Sequence, residues 1–253
     1  MTQGILYLVP APLDFGCETQ SPITDVMPLG TLQIASRLTH WISENAKTTR
    51  AVLKRVGDVL PLAVAIQQQT ITELPREVHK KGDHSAGSFD AKPLLAAALQ
   101  GHDIGLISEA GMPAVADPGS SVVRAAHALG LQVVALTGPC SLLLGLAASG
   151  LNGQNFAFVG YLPIDAAARS QRIKELEALA LRTGQTQLFI EVPHRNAALA
   201  QALLTHLKPT TRLATSSGLT LASARTHSAL ISQWRTAPSP TSTDLPTVFA
   251  IGV

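Results

Sequence analysis

Residues 104–119, IGLISEAGMPAVADPG, constrain this chain more than any other stretch. Ile104, Leu106 and Ile107 form a short apolar run of the length expected for a buried strand. The run breaks into Ser108-Glu109-Ala110-Gly111-Met112-Pro113, where small side chains let the backbone come close to a ligand. Gly111 can take φ > 0 and carries no Cβ. Asp117-Pro118-Gly119 reads as an N-cap with proline at N1, opening a helix over 120–129. A strand, a small-residue loop and a helix mark the place where open α/β sheets bind ligands. An ordinary strand–turn–helix joint has the same local pattern, so an isolated SxAGxP does not decide between them.

The same alternation runs along the chain. Strands are expected at 5–9, 40–43, 132–136, 156–160, 187–192, 212–215 and 246–253. Helices are expected at about 28–38, from Glu44 onward, and at 93–100, 141–148, 166–181, 197–207 and 229–234. Strands alternating with helices argue an α/β fold with parallel sheets in both halves. A chain of 253 residues suits two modest domains in tandem, 1–138 and 139–253, divided near Gly138. No GxGxxG follows the first strand, which argues against a dinucleotide site of the common kind.

Two segments stand apart by composition. Residues 67–93 have little apolar periodicity and hold Gly82, Gly87 and the cationic Lys80-Lys81, with a helix expected over 73–81. So long a stretch without regular structure is usually functional or mobile. His79 and His84 lie in it, without the spacing of metal ligands, so no metal is expected. Residues 237–244, rich in Pro, Ser and Thr, read as a flexible connection. Residues 131–151 are almost continuously apolar and about as long as a membrane span. Thr137-Gly138-Pro139 cuts them into a strand and a small-residue helix of a core, so no membrane is expected.

Hydrophobic residues are 46% and charged ones 14%, with a net charge of +2, which describes a well-buried protein without a strong electrostatic footprint for nucleic acid. Cys17 and Cys140 are far apart and form no CxxC, so neither a disulfide framework nor a zinc site is indicated. The apolar run at 5–9 is too short for a signal peptide and lacks a basic leader, and a cytoplasmic setting is the expectation. Lys47, Arg50 and Lys54, with Arg55 beside them, fall on one face of the helix after Glu44. Such a stripe can meet phosphates, and it can equally be a solvated face. His194 has the residue type of a general base.

SEAGMPAVADPG resembles the SDAGTPAIADPG signature of the tetrapyrrole-methylase-like superfamily, the class III S-adenosylmethionine-dependent methyltransferases. More narrowly, it resembles the branch containing the small-subunit ribosomal RNA 2′-O-ribose methyltransferases. LYLVPAPL at 6–13, ENAKTTRAVLK at 44–54, TGPCSLLLGLAASGL at 137–151, FAFVGYLP at 156–163 and IEVPHRN at 190–196 agree in order and spacing. The chain departs from that branch in two places, and ENAK occupies the place of its EDTR. PLDFGCE stands for a PIGNLGD-like run, and SSGLT for ARELTK.

The resemblance implies S-adenosylmethionine bound in a cleft between the domains, methyl transfer by in-line displacement, and a homodimer. It points to Pro10, Glu109, Ala110, Gly111, Met112, Val115, Ala116, Cys140 and Ser141 as cofactor contacts. Leu162, Gly218 and Pro246 would add contacts from the second domain. Glu44, Asn45, Lys47 and Arg195 are the candidates for the acceptor side, and no residue declares itself as catalytic. Family members often carry tyrosine at the place of His194, which implies a structural or substrate-orienting role for it instead of a general base. RNA is the expected acceptor. A tetrapyrrole or other small acceptor, and a cofactor-binding regulatory protein without catalysis, stay open as alternatives.

Overall fold

The computed structural model describes residues 2–81, 83, 89–236 and 244–253, and the chain divides into two compact units, 1–140 and 141–253. His84 and the connection at 237–243 lie outside the described residues, as do Gly82 and Gly87, and of the His79 side chain nothing is described.

The first unit is a five-stranded sheet in the order β3-β2-β4-β1-β5. Its strands are β1 (Leu6–Leu8), β2 (His40–Ser43), β3 (Thr70–Glu73), β4 (Ile104–Ile107) and β5 (Val133–Ala135), and every pair is parallel. Helices cover both faces, so apolar residues alternate between two cores instead of between core and water. Leu6, Ile42, Ile104 and Leu106 point into one core, where they meet Val78 of α4 (Arg76–Lys81) and Ala98 of α5 (Ala96–Leu99). Val122 and Ala126 of α6 (Ser120–Ala128) pack there too. Val9, Trp41 and Ile107 point into the other core. It is closed by Ile23 of α1 (Ile23–Val26), Leu32 of α2 (Leu29–Arg37), and Leu53 and Val56 of α3 (Ala46–Gly57). Gly105 is glycine because the Trp41 ring lies 2.5 Å from where its Cβ would stand.

The connections from β1 to β2 and from β4 to β5 leave a neighbouring pair of strands in opposite directions. The crevice beyond the C-terminal ends of β1 and β4 is therefore the point where an open sheet of this kind places its ligand. Strand β3 lies inside the segment expected to be without regular structure. It is an edge strand with one partner and three of its four residues exposed, so it carries little apolar signal.

In the second unit the order is β6-β7-β10-β8-β9. The strands are β6 (Phe156–Tyr161), β7 (Thr186–Glu191), β8 (Arg212–Ser217), β9 (Arg225–Leu230) and β10 (Thr247–Gly252). The expectation of a parallel sheet fails here, since only β6 and β7 pair in parallel and the other three pairs are antiparallel. Residues 218–224 are too few for a crossover from β8 to β9, and a connection that short makes a hairpin. Strand β9 also takes residues 229–230 from the expected helix, which is reduced to α10 (Ile231–Trp234). Helices α8 (Ala166–Thr183), α9 (Asn196–His206) and α10 share one core with Phe189, Leu213 and Phe249. Helix α7 (Ser141–Ser149) packs against Val248 and Ser216, and its Gly145 leaves no room for a side chain, with Val248 3.0 Å from where a Cβ would stand. The apolar stretch 131–151 is divided between β5 and α7, and among the described residues no helix is long and apolar enough to cross a membrane.

Candidate functional site

The loop after β4 is pinned at its tightest point. Gly111 (φ +72°) and Ala11, from the loop after β1, form an isolated antiparallel bridge with two N–H···O bonds of 2.9 Å. The bridge joins the two strand ends that flank the crevice. Ala114 (φ 65°) and Ala116 (φ 64°) also sit in the left-handed region, where each costs an L-residue about 1–2 kcal/mol. Strain in two alanines within three residues is a mark of a loop shaped for binding. Val115 between them is 42% exposed and Met112 half-buried, so backbone and apolar surface are both presented.

The expected cap of α6 is corrected by the structure. Gly119 (φ 135°), not Asp117, occupies the N-cap, and its own side chain can offer nothing. The acceptor comes from far away in sequence. The buried Asp83 carboxylate accepts from the Gly119 amide (2.9 Å), the Ser121 amide (2.8 Å) and the Ser121 hydroxyl (2.6 Å). Burial alone would raise its pKa, but these bonds favour the ionised form and hold it below the ordinary carboxylate range.

Asp117 is thereby left facing the loop. Its burial, with the carboxylate of Glu44 and then Glu109 nearby, pushes its pKa up to about 7 against a hydrogen bond from Ser108 that lowers it. A carboxyl with a raised folded pKa holds its proton more tightly in the native state. Its contribution to stability is full below the unfolded value near 3.8 and is lost as pH climbs to about 7. Asp117→Asn keeps the neutral shape at every pH. Its melting temperature is expected to gain on the parent by several degrees between pH 5 and pH 8. A gap that stays constant over that range would show that Asp117 titrates normally.

Glu44 and Asn45 sit at the C-terminal end of β2, beside this loop. The Glu44 carboxylate accepts from the Glu109 amide (3.0 Å), and the Thr48 hydroxyl donates to the Glu109 carboxylate (3.2 Å). Asn45 is the N-cap of α3, with Oδ1 accepting from the Lys47 (2.9 Å) and Thr48 (3.3 Å) amides. The oxygen expected on the acceptor side is thus engaged in capping. Lys47, Arg50 and Lys54 are exposed along α3, whereas Arg55 turns inward. Its guanidinium grips Asp14 in a two-pronged ion pair (2.8 and 3.0 Å) and donates to the Ser21 carbonyl (2.7 Å). Arg55, expected beside the phosphate-facing stripe, is instead committed to Asp14, and Asp14, Thr48, Asp83 and Asp117 were not singled out as site residues by the sequence, because each is defined by a partner remote in the chain.

Pro10 is buried against Gly138, whose absent Cβ would meet it at 2.5 Å. Cys140 is half-buried at the end of the first unit. Ser141, Leu162, Gly218, Pro246 and Arg195 belong to the second unit. Leu162 is part of its core, so only its backbone is available to a ligand. Gly218 (φ 60°) follows β8 and Pro246 precedes β10. The register Thr247↔Glu191 and Thr247↔Ser217 brings both, with the end of β7, to one edge of the sheet. Arg195 is bound to Glu191 by bonds of 2.6 and 2.9 Å, so its charge is already matched. Exposed His194 lies beside it. Among the described residues no group of three or more His, Cys, Asp or Glu could hold a metal.

A family model described as Tetrapyrrole (Corrin/Porphyrin) Methylases matches residues 37–233. The ribosomal RNA small subunit methyltransferase I of Pseudomonas aeruginosa is 29% identical over 195 residues, covering 77% of this chain and 59% of that protein. The protein of the same name from Mesorhizobium japonicum is 41% identical over 123 residues, covering 48% of this chain and 40% of its own length. The chain thus spans about three fifths of the length of the first of these relatives. Among solved structures, the methyltransferase CobJ superposes with a TM-score of 0.56 at 17% identity, over 98% of this chain and 94% of that one. At that identity the likeness speaks for the fold alone.

Proposed function

This chain belongs to the tetrapyrrole (corrin/porphyrin) methylase family, and from that we propose that it is an S-adenosylmethionine-dependent methyltransferase acting on ribose 2′-hydroxyls of ribosomal RNA. The bound cofactor would supply an activated methyl group on a sulfonium sulfur. What this chain's residues would do is hold and align. Gly111 and Ala110 leave the backbone of the 108–119 loop open to a flat ligand. Glu44 and Glu109 set negative charge beside a loop that would hold a cationic sulfonium and ammonium, and Asp117, with its pKa pushed up to about 7, adds to it only as it ionises. Alignment of donor and acceptor is worth about 7–11 kcal/mol in favourable cases, and an activated methyl needs little else. The names of the relatives support ribosomal RNA as the acceptor, and the family resemblance supports a homodimer and a cytoplasmic setting.

One observation carries the reading. Helix α3 exposes Lys47, Arg50 and Lys54 and is bonded through Thr48 to Glu109 of the cofactor loop, so a phosphate backbone lying on that face would pass next to the methyl donor. Methyl transfer from labelled cofactor to small-subunit RNA, taken from cells that lack the protein, tests it directly. No transfer would sink the RNA assignment. Changing Lys47 and Arg50 together to alanine is expected to lower the slope of log affinity against log salt by roughly one to two. Cofactor affinity should stay unchanged, and an unaltered slope would remove α3 from the RNA interface.

A further inference from the structure

Between the loop after β1 and helix α3 lies a cavity of about 360 Å³ that the cofactor loop touches at one end. We propose that this cavity receives the base of a single nucleotide of the RNA acceptor, stacked on Phe15, while its phosphate meets Lys54; this deepens the RNA reading above and rests on it.

The floor comes from one helical stripe. Thr48, Ala51, Val52 and Arg55 recur at the spacing that puts side chains on one face of α3. The facing wall is the loop of Pro12, Asp14, Phe15 and Gln20, and Glu109 closes the end. Wall and floor are fastened to each other by the Arg55–Asp14 ion pair, with Asp14 only 2% exposed, so the cavity is built rather than an accident of mobile side chains. Phe15 lines it while 46% of that residue remains exposed. A large aromatic ring left half in water at the mouth of a pocket is a stacking platform for a base, the common device for gripping single-stranded nucleic acid.

The rest of the lining suits the same guest. Pro12, Ala51 and Val52 are apolar and accept the flat faces of a heterocycle. Gln20, Thr48 and Asp58 offer hydrogen-bond donors and acceptors for its edge. Lys54 belongs both to the cavity rim and to the exposed basic stripe, which is the position a phosphate of the same nucleotide needs. About 360 Å³ is at the small end of ligand sites and suits one nucleotide unit. Glu109 lines the cavity and also belongs to the loop assigned to the cofactor, so a nucleotide seated here lies next to the methyl donor.

The test uses the full chain, nucleoside 5′-monophosphates as probes, and ribose 5-phosphate as the baseless control, with binding read by titration. Ala51→Trp fills the cavity from an exposed helical position, and Phe15→Ala removes the platform from an exposed loop position. The wild-type chain is expected to bind a nucleoside monophosphate saturably and more tightly than ribose 5-phosphate. Each variant is expected to lose roughly tenfold or more of that affinity, while binding S-adenosylmethionine as before. Nucleotide binding that is absent, equal in the variants, or matched by ribose 5-phosphate overturns the proposal. Nucleotide binding that the variants abolish, together with no methyl transfer to RNA by the wild-type chain, would keep the subsite and sink the enzymatic reading instead.

Discussion

Arg55→Ala is expected to cost about 2–4 kcal/mol of stability, at the lower side of what is seen when one partner of a buried ion pair is removed. The reason is the position of Asp14. Its carboxylate is 2% exposed and accepts two bonds from the guanidinium, while Arg55 keeps part of its side chain in water. Without Arg55 the buried carboxylate keeps the Ser21 amide at 3.2 Å but loses both charge-assisted bonds from the guanidinium, which is costly for a buried charge. Asp14→Asn removes the charge itself and should cost less than Arg55→Ala. The double variant should recover much of the loss, since no stranded carboxylate remains. Chemical denaturation of the four proteins measures all of this in one cycle. If Arg55→Ala costs under about half a kcal/mol, the pair is not what fastens residues 12–21 to α3.

Gly111→Val is the variant expected to do most damage to function, with cofactor affinity falling at least a hundredfold. Three effects act together. Valine at φ +72° is strained by sterics that glycine escapes. Its Cβ would stand 3.2 Å from the Leu13 side chain, tighter than ordinary contact. Moving the backbone to relieve either problem breaks the paired bonds to Ala11 that hold the loops after β1 and β4 together. Gly150→Ala separates strain from site. Gly150 has nearly the same φ, +71°, but lies in the second unit with nothing within 4 Å of a Cβ. It should lose about 1 kcal/mol of stability and no cofactor affinity. Calorimetric titration that finds undiminished affinity in Gly111→Val would remove the 108–119 loop from the cofactor site.

What the sequence made legible follows from where each signal resides. Central elements were readable because burial on two faces forces apolar runs. Strands β1, β4 and β10, and helices α2, α8 and α9, all lie within a few residues of their expected bounds. The edge strands β3 and β9 were not readable. Each pairs on one side only and is largely or partly exposed, so Thr70–Glu73 and Arg225–Leu230 carry polar residues that resemble loop. The small residues of the 108–119 loop were visible in the sequence as a segment whose backbone can be approached closely, because such an approach can be made only by residues without bulk. The carboxylates around it were visible as residues but not as a group.

By itself, then, the sequence determined the α/β class, the backbone-rich character of the loop after β4, and the basic face of α3. All three depend on residues within a turn or two of one another, where spacing alone decides which side chains share a face. Only the tertiary structure decided the direction of the strands in the second sheet, the capping of α6 by Asp83 in place of Asp117, and the cavity closed by Asp14 and Arg55. Those depend on partners tens of residues apart. A local rule offered Asp117 as the cap, but the cheaper arrangement was a buried carboxylate brought from another segment to satisfy three donors at once. Such choices are settled by which polar groups become buried together, and that is known only once the chain has folded.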